Sequence, residues 1–212
     1  MTGTHLDEAE KAAEFVVAIL SEVRDAEKDL ARDDSPFRRR AYVRATFASV
    51  EGFVFALKRI ALTKPHLFEP GELTLLLEKE HVLTNMGDVR PRPRFLRVDD
   101  NLRFAFKAFM RFHGSDDALD TGQGWAAFQK AITIRNRVTH PKRIEDLSIS
   151  DDDVRTIRQA AHWLGVSVLM SVAKALGPGA QLLVIGFLVV WGLMKLGAGG
   201  AVAVVPEPSD AD

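Results

Sequence analysis

The amino-acid sequence predicts an all-α protein, a bundle of four or five main helices followed by a separate hydrophobic helix. Three observations carry this. Apolar residues recur at helical spacing through most of the chain, and no convincing run of alternating, strand-like residues is present. Helix boundaries are punctuated by Ser35-Pro36 and Ser150-Asp151-Asp152-Asp153 at starts and by Gly177-Pro178-Gly179 at a stop. The 212 residues are 47% apolar and 27% charged, enough for one sizeable core and without bias toward disorder.

From His5 to about Ala31 the pattern reads as one long helix, with Phe15, Ile19, Val23 and Ala26 along a stripe. Asp33-Asp34-Ser35-Pro36 stops it and starts a second helix, with Ser35 as N-cap and Pro36 where a missing N–H costs nothing. That helix extends to about Thr63, carries Tyr42, Phe47, Val50, Val54, Leu57 and Ile60, and is ended by Pro65. A short helix is expected over Pro70 to Glu80. Residues Leu83 to Asp99 (LTNMGDVRPRPRFLRVD) read as an internal loop, because Gly87, Pro91 and Pro93 oppose regular structure. Asp100 or Asn101 caps the next helix, which runs through Phe112 and closes at Gly114-Ser115-Asp116-Asp117. Gly122-Gln123-Gly124 is a turn ahead of a helix from Trp125 to Thr139. Ser150 and the three acids after it then open a helix toward Leu176, with the acids set against the helix dipole.

The sequence divides into a helical domain over 1–176, a hydrophobic segment over 177–205 and an acidic, disordered tail over 206–212. Gln181 to Met194 (QLLVIGFLVVWGLM) is apolar on every face, which a surface helix would not be. Alone it is short for a bilayer, which needs about 20 residues. With Ala180 and the continuation to Val205 it reaches spanning length, and Lys195 near one end can snorkel. Arg155, Arg158 and Lys174 precede it, and Glu207, Asp210 and Asp212 follow it. That asymmetry predicts a membrane anchor through residues 180–205 with the bundle on the cytoplasmic side. The competing expectation is a helix buried at a dimer or partner interface, which would leave the protein cytoplasmic.

Composition excludes several classes of chemistry. A net charge of −1 gives no global field for nucleic acid, so such binding must use a local patch. The absence of cysteine excludes a disulfide scaffold, thiolate metal sites and a cysteine nucleophile, and is compatible with a reducing cytosol. The opening MTGTHLDEAEKAAEF is acidic and polar, unlike a secretory signal. No phosphate-cradling glycine loop is present. His113 and His162 lack carboxylates at ligand spacing and read as structural or surface residues. No metal or cofactor is expected.

Arg135-Asn136-Arg137-Val138-Thr139-His140, followed at once by Pro141, is the stretch that suggests chemistry. Asn136 and His140 share a face of an unbroken helix, whereas Arg135 and His140 would diverge by about 140°. Pro141 disfavours the helical conformation at His140, so the imidazole is free to turn back beside the guanidinium. Arginine supplies a permanently charged planar fork matched to a phosphate, and histidine, titrating near neutrality, can exchange a proton with a ribose hydroxyl. The plainer alternative is a helix end capped by Arg135 and Asn136 with His140 at the surface.

Arg135-Asn136-x-x-x-His140 resembles the Arg-polar-x-x-x-His signature of the HEPN family (higher eukaryotes and prokaryotes nucleotide-binding domain). The preceding helix (GWAAFQKAITI), the basic loop after Pro141, the capped helix from Ser150 and the long second helix with Glu51 inside it agree with that resemblance. It covers roughly residues 6–176 and is specific only from Trp125 to Trp163. The resemblance implies a helical bundle that forms a homodimer, with two motifs facing each other across a cleft. It also implies metal-independent RNA cleavage leaving 2′,3′-cyclic phosphate and 5′-hydroxyl ends. In that scheme His140 activates the 2′-hydroxyl or protonates the leaving oxygen, Arg135 stabilises charge on the phosphate, and Asn136 orients His140 or binds the phosphate. Members of such a family serve as toxins paired with an antitoxin, or in antiviral defence and RNA turnover. A non-catalytic RNA- or protein-binding module tethered to a membrane is the alternative.

Two further features bear on this reading. Glu51 sits among Phe47, Val50, Phe53 and Val54; it is either a partly buried partner for Arg135 or an exposed surface acid. Candidate RNA-binding cations are Arg137, Lys142 and Arg143 around the motif, and Arg90, Arg92 and Arg94 in the internal loop. Phe95, Phe104, Phe106 and Phe109, interleaved with the latter group, are core residues unless exposed, in which case they can stack on bases. Arg38-Arg39-Arg40 opens a helix against the dipole preference and is expected to be offset by Asp33-Asp34 rather than by an RNA backbone.

Overall fold

The computed structural model describes residues 3–176, and the chain divides into two units, Met1–Val168 and Leu169–Asp212. The proposed membrane segment and acidic tail lie outside the described residues; within them no helix is long and apolar enough to cross a membrane. The described part is mostly helical. In order come α1 (Gly3–Arg32), α2 (Pro36–Ala61), α3 (Pro70–Leu76), β1 (Lys79–Leu83), β2 (Val89–Pro93), α4 (Val98–Phe112), α5 (Gln123–Thr139) and α6 (Asp151–Leu176), with 3-10 turns at Pro65–Leu67 and Ile144–Leu147.

The helix starts follow local chemistry. Ser35 has extended backbone and its hydroxyl accepts from Arg38 N, with Pro36 opening α2. Ser150 does the same for α6, where its hydroxyl accepts from Asp153 N at 3.1 Å. Two starts differ from the sequence reading. Arg97 rather than Asp100 or Asn101 caps α4, so Asp99 and Asp100 fall in the first turn, where the helix dipole favours acids. Gly122 precedes α5, which therefore includes Gly124. Packing explains that glycine: a Cβ at Gly124 would overlap the Trp163 indole.

The internal loop expected over 83–99 is instead largely an antiparallel hairpin, with Lys79 opposite Pro93 through Leu83 opposite Val89. Consequently α3 ends at Leu76 instead of running to Glu80. Gly87, at φ 83°, makes the turn, and Thr84 N donates to Asp88 O at 2.8 Å. The two prolines are tolerated because every strand of a two-stranded ribbon is an edge. Arg94 N donates inward to Glu78 O at 2.8 Å. Alternation along the strand then points the nitrogens of Pro91 and Pro93 outward, where no partner is missed.

The core of the first unit gathers around α2, which packs along α1 and α4 and touches α5. Tyr42, Val43, Phe47, Val50, Val54 and Leu57 of α2 are buried, facing Leu102, Phe106 and Met110 of α4 among others. An aromatic group joins α2, α5 and α6: Phe128 lies 6.2 Å from Phe47, 5.5 Å from Trp125 and 5.5 Å from Trp163 between ring centroids. Lys58, only 2% exposed, is held by Leu75 O at 3.1 Å and Glu78 Oε1 at 2.9 Å. Burial lowers its pKa below the ordinary lysine value, opposed by the Glu78 carboxylate.

Candidate functional site

Phe128, Ala131, Ile134 and Val138 recur at helical spacing and are buried, which turns Asn136 and Thr139 to the surface and leaves Arg135 at the boundary. His140 terminates α5 with φ −126° and ψ 60°, its N–H still donating to Asn136 O at 3.0 Å. The residue before Pro141 has left the helical path, as the proline demands.

Arg135 is 22% exposed at its side chain, and its guanidinium donates to the Glu51 carboxylate and, at 3.1 Å, to Asn136 Oδ1. Glu51 therefore meets Arg135 although it is not buried; its side chain is 51% exposed. Asn136 holds the guanidinium rather than the imidazole.

Arg135, His140 and Glu51 line one cavity of about 580 Å³. Phe55 and Phe95 contribute aromatic surface to it, and Glu78 and Asn101 contribute polar groups. Glu78 accepts from both Lys58 and Asn101 Nδ2, at 2.9 and 3.1 Å. Burial pushes the Glu78 carboxyl up, but those two donors outweigh it and leave the pKa below the ordinary value. No motif marks Glu78 or Phe55 in the sequence. A lysine on the apolar face of α2, Lys58, is the one signal that a carboxylate must lie opposite.

A second concavity borders His140, formed with Asn136, Lys142 and Arg143. Its loop is held by Asp146, whose Oδ2 accepts from Lys142 N at 2.8 Å and Arg143 N at 3.0 Å. Those amides hold the Asp146 carboxyl below its usual range. Both cationic side chains are exposed. Arg137 donates to Asp153 Oδ2 at 2.8 Å and Ser148 O at 3.0 Å, tying the end of α5 to the start of α6.

Arg90, Arg92 and Arg94 lie on or just after β2 and are exposed. Arg92 pairs with Glu80 across the ribbon, and Arg90 approaches Asp88 at 4.0 Å. The segment after them, through Phe95 and Leu96, reaches the cavity wall. Of the four phenylalanines, Phe106 and Phe109 are buried and Phe104 packs partly into a small cluster around Ala61 and Phe68, while Phe95 is 95% exposed.

The arrangement thus brings to one concave surface a guanidinium paired with a carboxylate, an imidazole and two aromatic side chains. No family model, no curated protein and no solved structure matches the chain.

Proposed function

We propose that the chain is a metal-independent endoribonuclease of HEPN type, with Arg135 and His140 as catalytic residues. The observation that carries this is their shared cavity, since on a continued helix the two side chains would point apart. His140 takes the proton of a ribose 2′-hydroxyl, the 2′-oxygen attacks phosphorus, and the bond to the 5′-oxygen breaks. That oxygen leaves protonated, giving a 2′,3′-cyclic phosphate and a 5′-hydroxyl. Arg135 holds the phosphate oxygens as charge grows on them. Asn136 and Glu51 are positioning residues that fix the guanidinium.

In-line displacement requires a base and an acid on opposite sides of the phosphorus, and each chain brings one imidazole to the cavity. A second copy facing the first supplies the other proton carrier, so the working form is a homodimer. Residues 180–205 anchor it to a membrane with the bundle on the cytoplasmic side, and an antitoxin or defence partner controls it. Lys142, Arg143 and the hairpin arginines guide RNA.

A second reading, a non-catalytic RNA- or protein-binding module, draws on the neutralisation of Arg135 by Glu51. One assay separates the two: RNA cleavage in chelator by the full chain, by His140→Ala and by Glu51→Lys. The nuclease reading expects cleavage to fall about 10²- to 10⁴-fold in His140→Ala and to vanish in Glu51→Lys with the fold intact. Absence of cleavage by the parent, or equal cleavage by His140→Ala, overturns it.

A further inference from the structure

We propose that the Arg135–His140 cavity accepts an unpaired nucleotide, with Phe95 stacking on the base beside the phosphate that Arg135 holds. The substrate is then single-stranded RNA, or the splayed loop of a folded one. This rests on the ribonuclease reading and adds the residue of this chain that holds the base.

Phe95 is 95% exposed, more than any other large apolar side chain among the described residues. Scattered exposed apolar residues need no explanation. This one lines the same cavity as Arg135 and His140. Phe55, also in the wall and 55% exposed, is steadied edge-on by Phe15 at 6.0 Å between centroids. Phe95 has no ring partner among the described residues, so its faces are open to a ligand.

The rest of the wall favours stacking over reading of base edges. Val54, Leu96 and Val98 are apolar. Glu78 accepts from both Asn101 and Lys58, and Asn101 Oδ1, though unpaired, is sealed from solvent. Every base has an apolar face, so aromatic stacking selects for unpaired bases with little regard to sequence. In an A-form duplex neighbouring bases cover those faces, and the aromatic ring finds nothing to stack on. Arginines at 90, 92 and 94 repeat every second residue, on one side of the strand with a spacing of about 7 Å. They form a row along which a flexible phosphate backbone can approach Phe95.

The test uses full-length His140→Ala protein in chelator, with labelled single-stranded RNA and the same strand in a duplex, read by anisotropy. Adding Phe95→Ala is expected to weaken single-strand binding about 5- to 150-fold, and adding Phe95→Trp to preserve it, with duplex binding unchanged by either. Equal single-strand affinity with and without the Phe95 ring overturns the inference. So does an equal loss on both RNAs, since that would mark a general defect. Helical circular dichroism melts of the variants establish that the fold persists. Binding that depends on Phe95 in a protein whose parent cleaves no RNA would sink the catalytic reading alone. No binding of either RNA would sink both.

Discussion

Two stretches, 38–40 and 90–94, each carry three arginines in the sequence and are engaged differently in the structure. Arg38 bonds Asp29 O at 2.8 Å and pairs with Asp33 at 3.0 Å. Arg39 reaches Asp34 at 2.5 Å, Asp151 at 2.6 Å and Ile149 O at 2.9 Å, and Arg40 reaches Leu147 O at 3.2 Å. The start of α2 thereby clamps the segment that leads from the motif into α6. On the hairpin, by contrast, Arg90 and Arg92 remain 71% and 63% exposed, and their acidic neighbours belong to the same ribbon. A run of arginines in the sequence does not by itself separate a clamp from a solvent-exposed row. What separates them is whether the fold brings distant carboxylates and carbonyls to the guanidinium, because several converging charge-assisted bonds stabilise far more than one exposed pair.

The comparison breaks most decisively at single arginines. Arg135→Ala is expected to lower RNA cleavage about 10²- to 10³-fold with a smaller fall in melting temperature than Arg39→Ala gives. Arg39→Ala should do the reverse, lowering the melting midpoint by roughly 3–10 °C while cleavage per folded molecule stays nearly constant. Steady-state kinetics beside thermal melts check both. A large melting loss in the first variant, or a catalytic loss without destabilisation in the second, would abolish the distinction.

A smaller effect is expected for the hairpin. Replacing Arg90, Arg92 and Arg94 together by serine should reduce the dependence of log affinity on log salt by about 2, with the melting temperature unchanged. A salt titration of single-stranded RNA binding measures it, and an unchanged slope would show that the ribbon does not meet phosphates.

The smallest effect is a matter of pH. Burial pushes the Asp153 carboxyl up, but bonds from Ser150 N and Arg137 more than compensate and place its pKa below the ordinary 3.8. The folded state therefore binds fewer protons than the unfolded one in that range. The stability contributed by Asp153 is present above about pH 3.8 and is lost as pH falls below it. Asp153→Asn should flatten the acid limb of a stability profile; an unchanged limb would remove Asp153 from the account.

These outcomes also mark what the sequence could reveal. The caps at Ser35 and Ser150, the helical stripes and the exit of His140 from α5 were legible because each depends on a few adjacent residues. The link between Asp33-Asp34 and Arg38-Arg39 was legible for the same reason. Their further bonds to Ile149 and Asp151 were not, because chain separation hides them. The hairpin escaped notice since prolines usually argue against strands, and only a ribbon with two free edges lifts that objection. For Glu51 the sequence allows a partner for Arg135 or an exposed surface acid, and the structure shows both traits, a pair formed at a half-exposed rim rather than in the core. Arg137 and Arg135, two residues apart and chemically identical, differ in the partners the fold brings to them, Asp153 of α6 for one and Glu51 of α2 for the other.

The outward nitrogens of Pro91 and Pro93 have a consequence for the molecule as a whole. A lone ribbon with apolar Leu83, Met86 and Val89 in water invites sheet growth by recruiting strands from other copies. Along β2 the imino rings remove two of the three outward donors and leave only the Val89 N–H, so that flank of the arm is a poor template for fibril-like self-association.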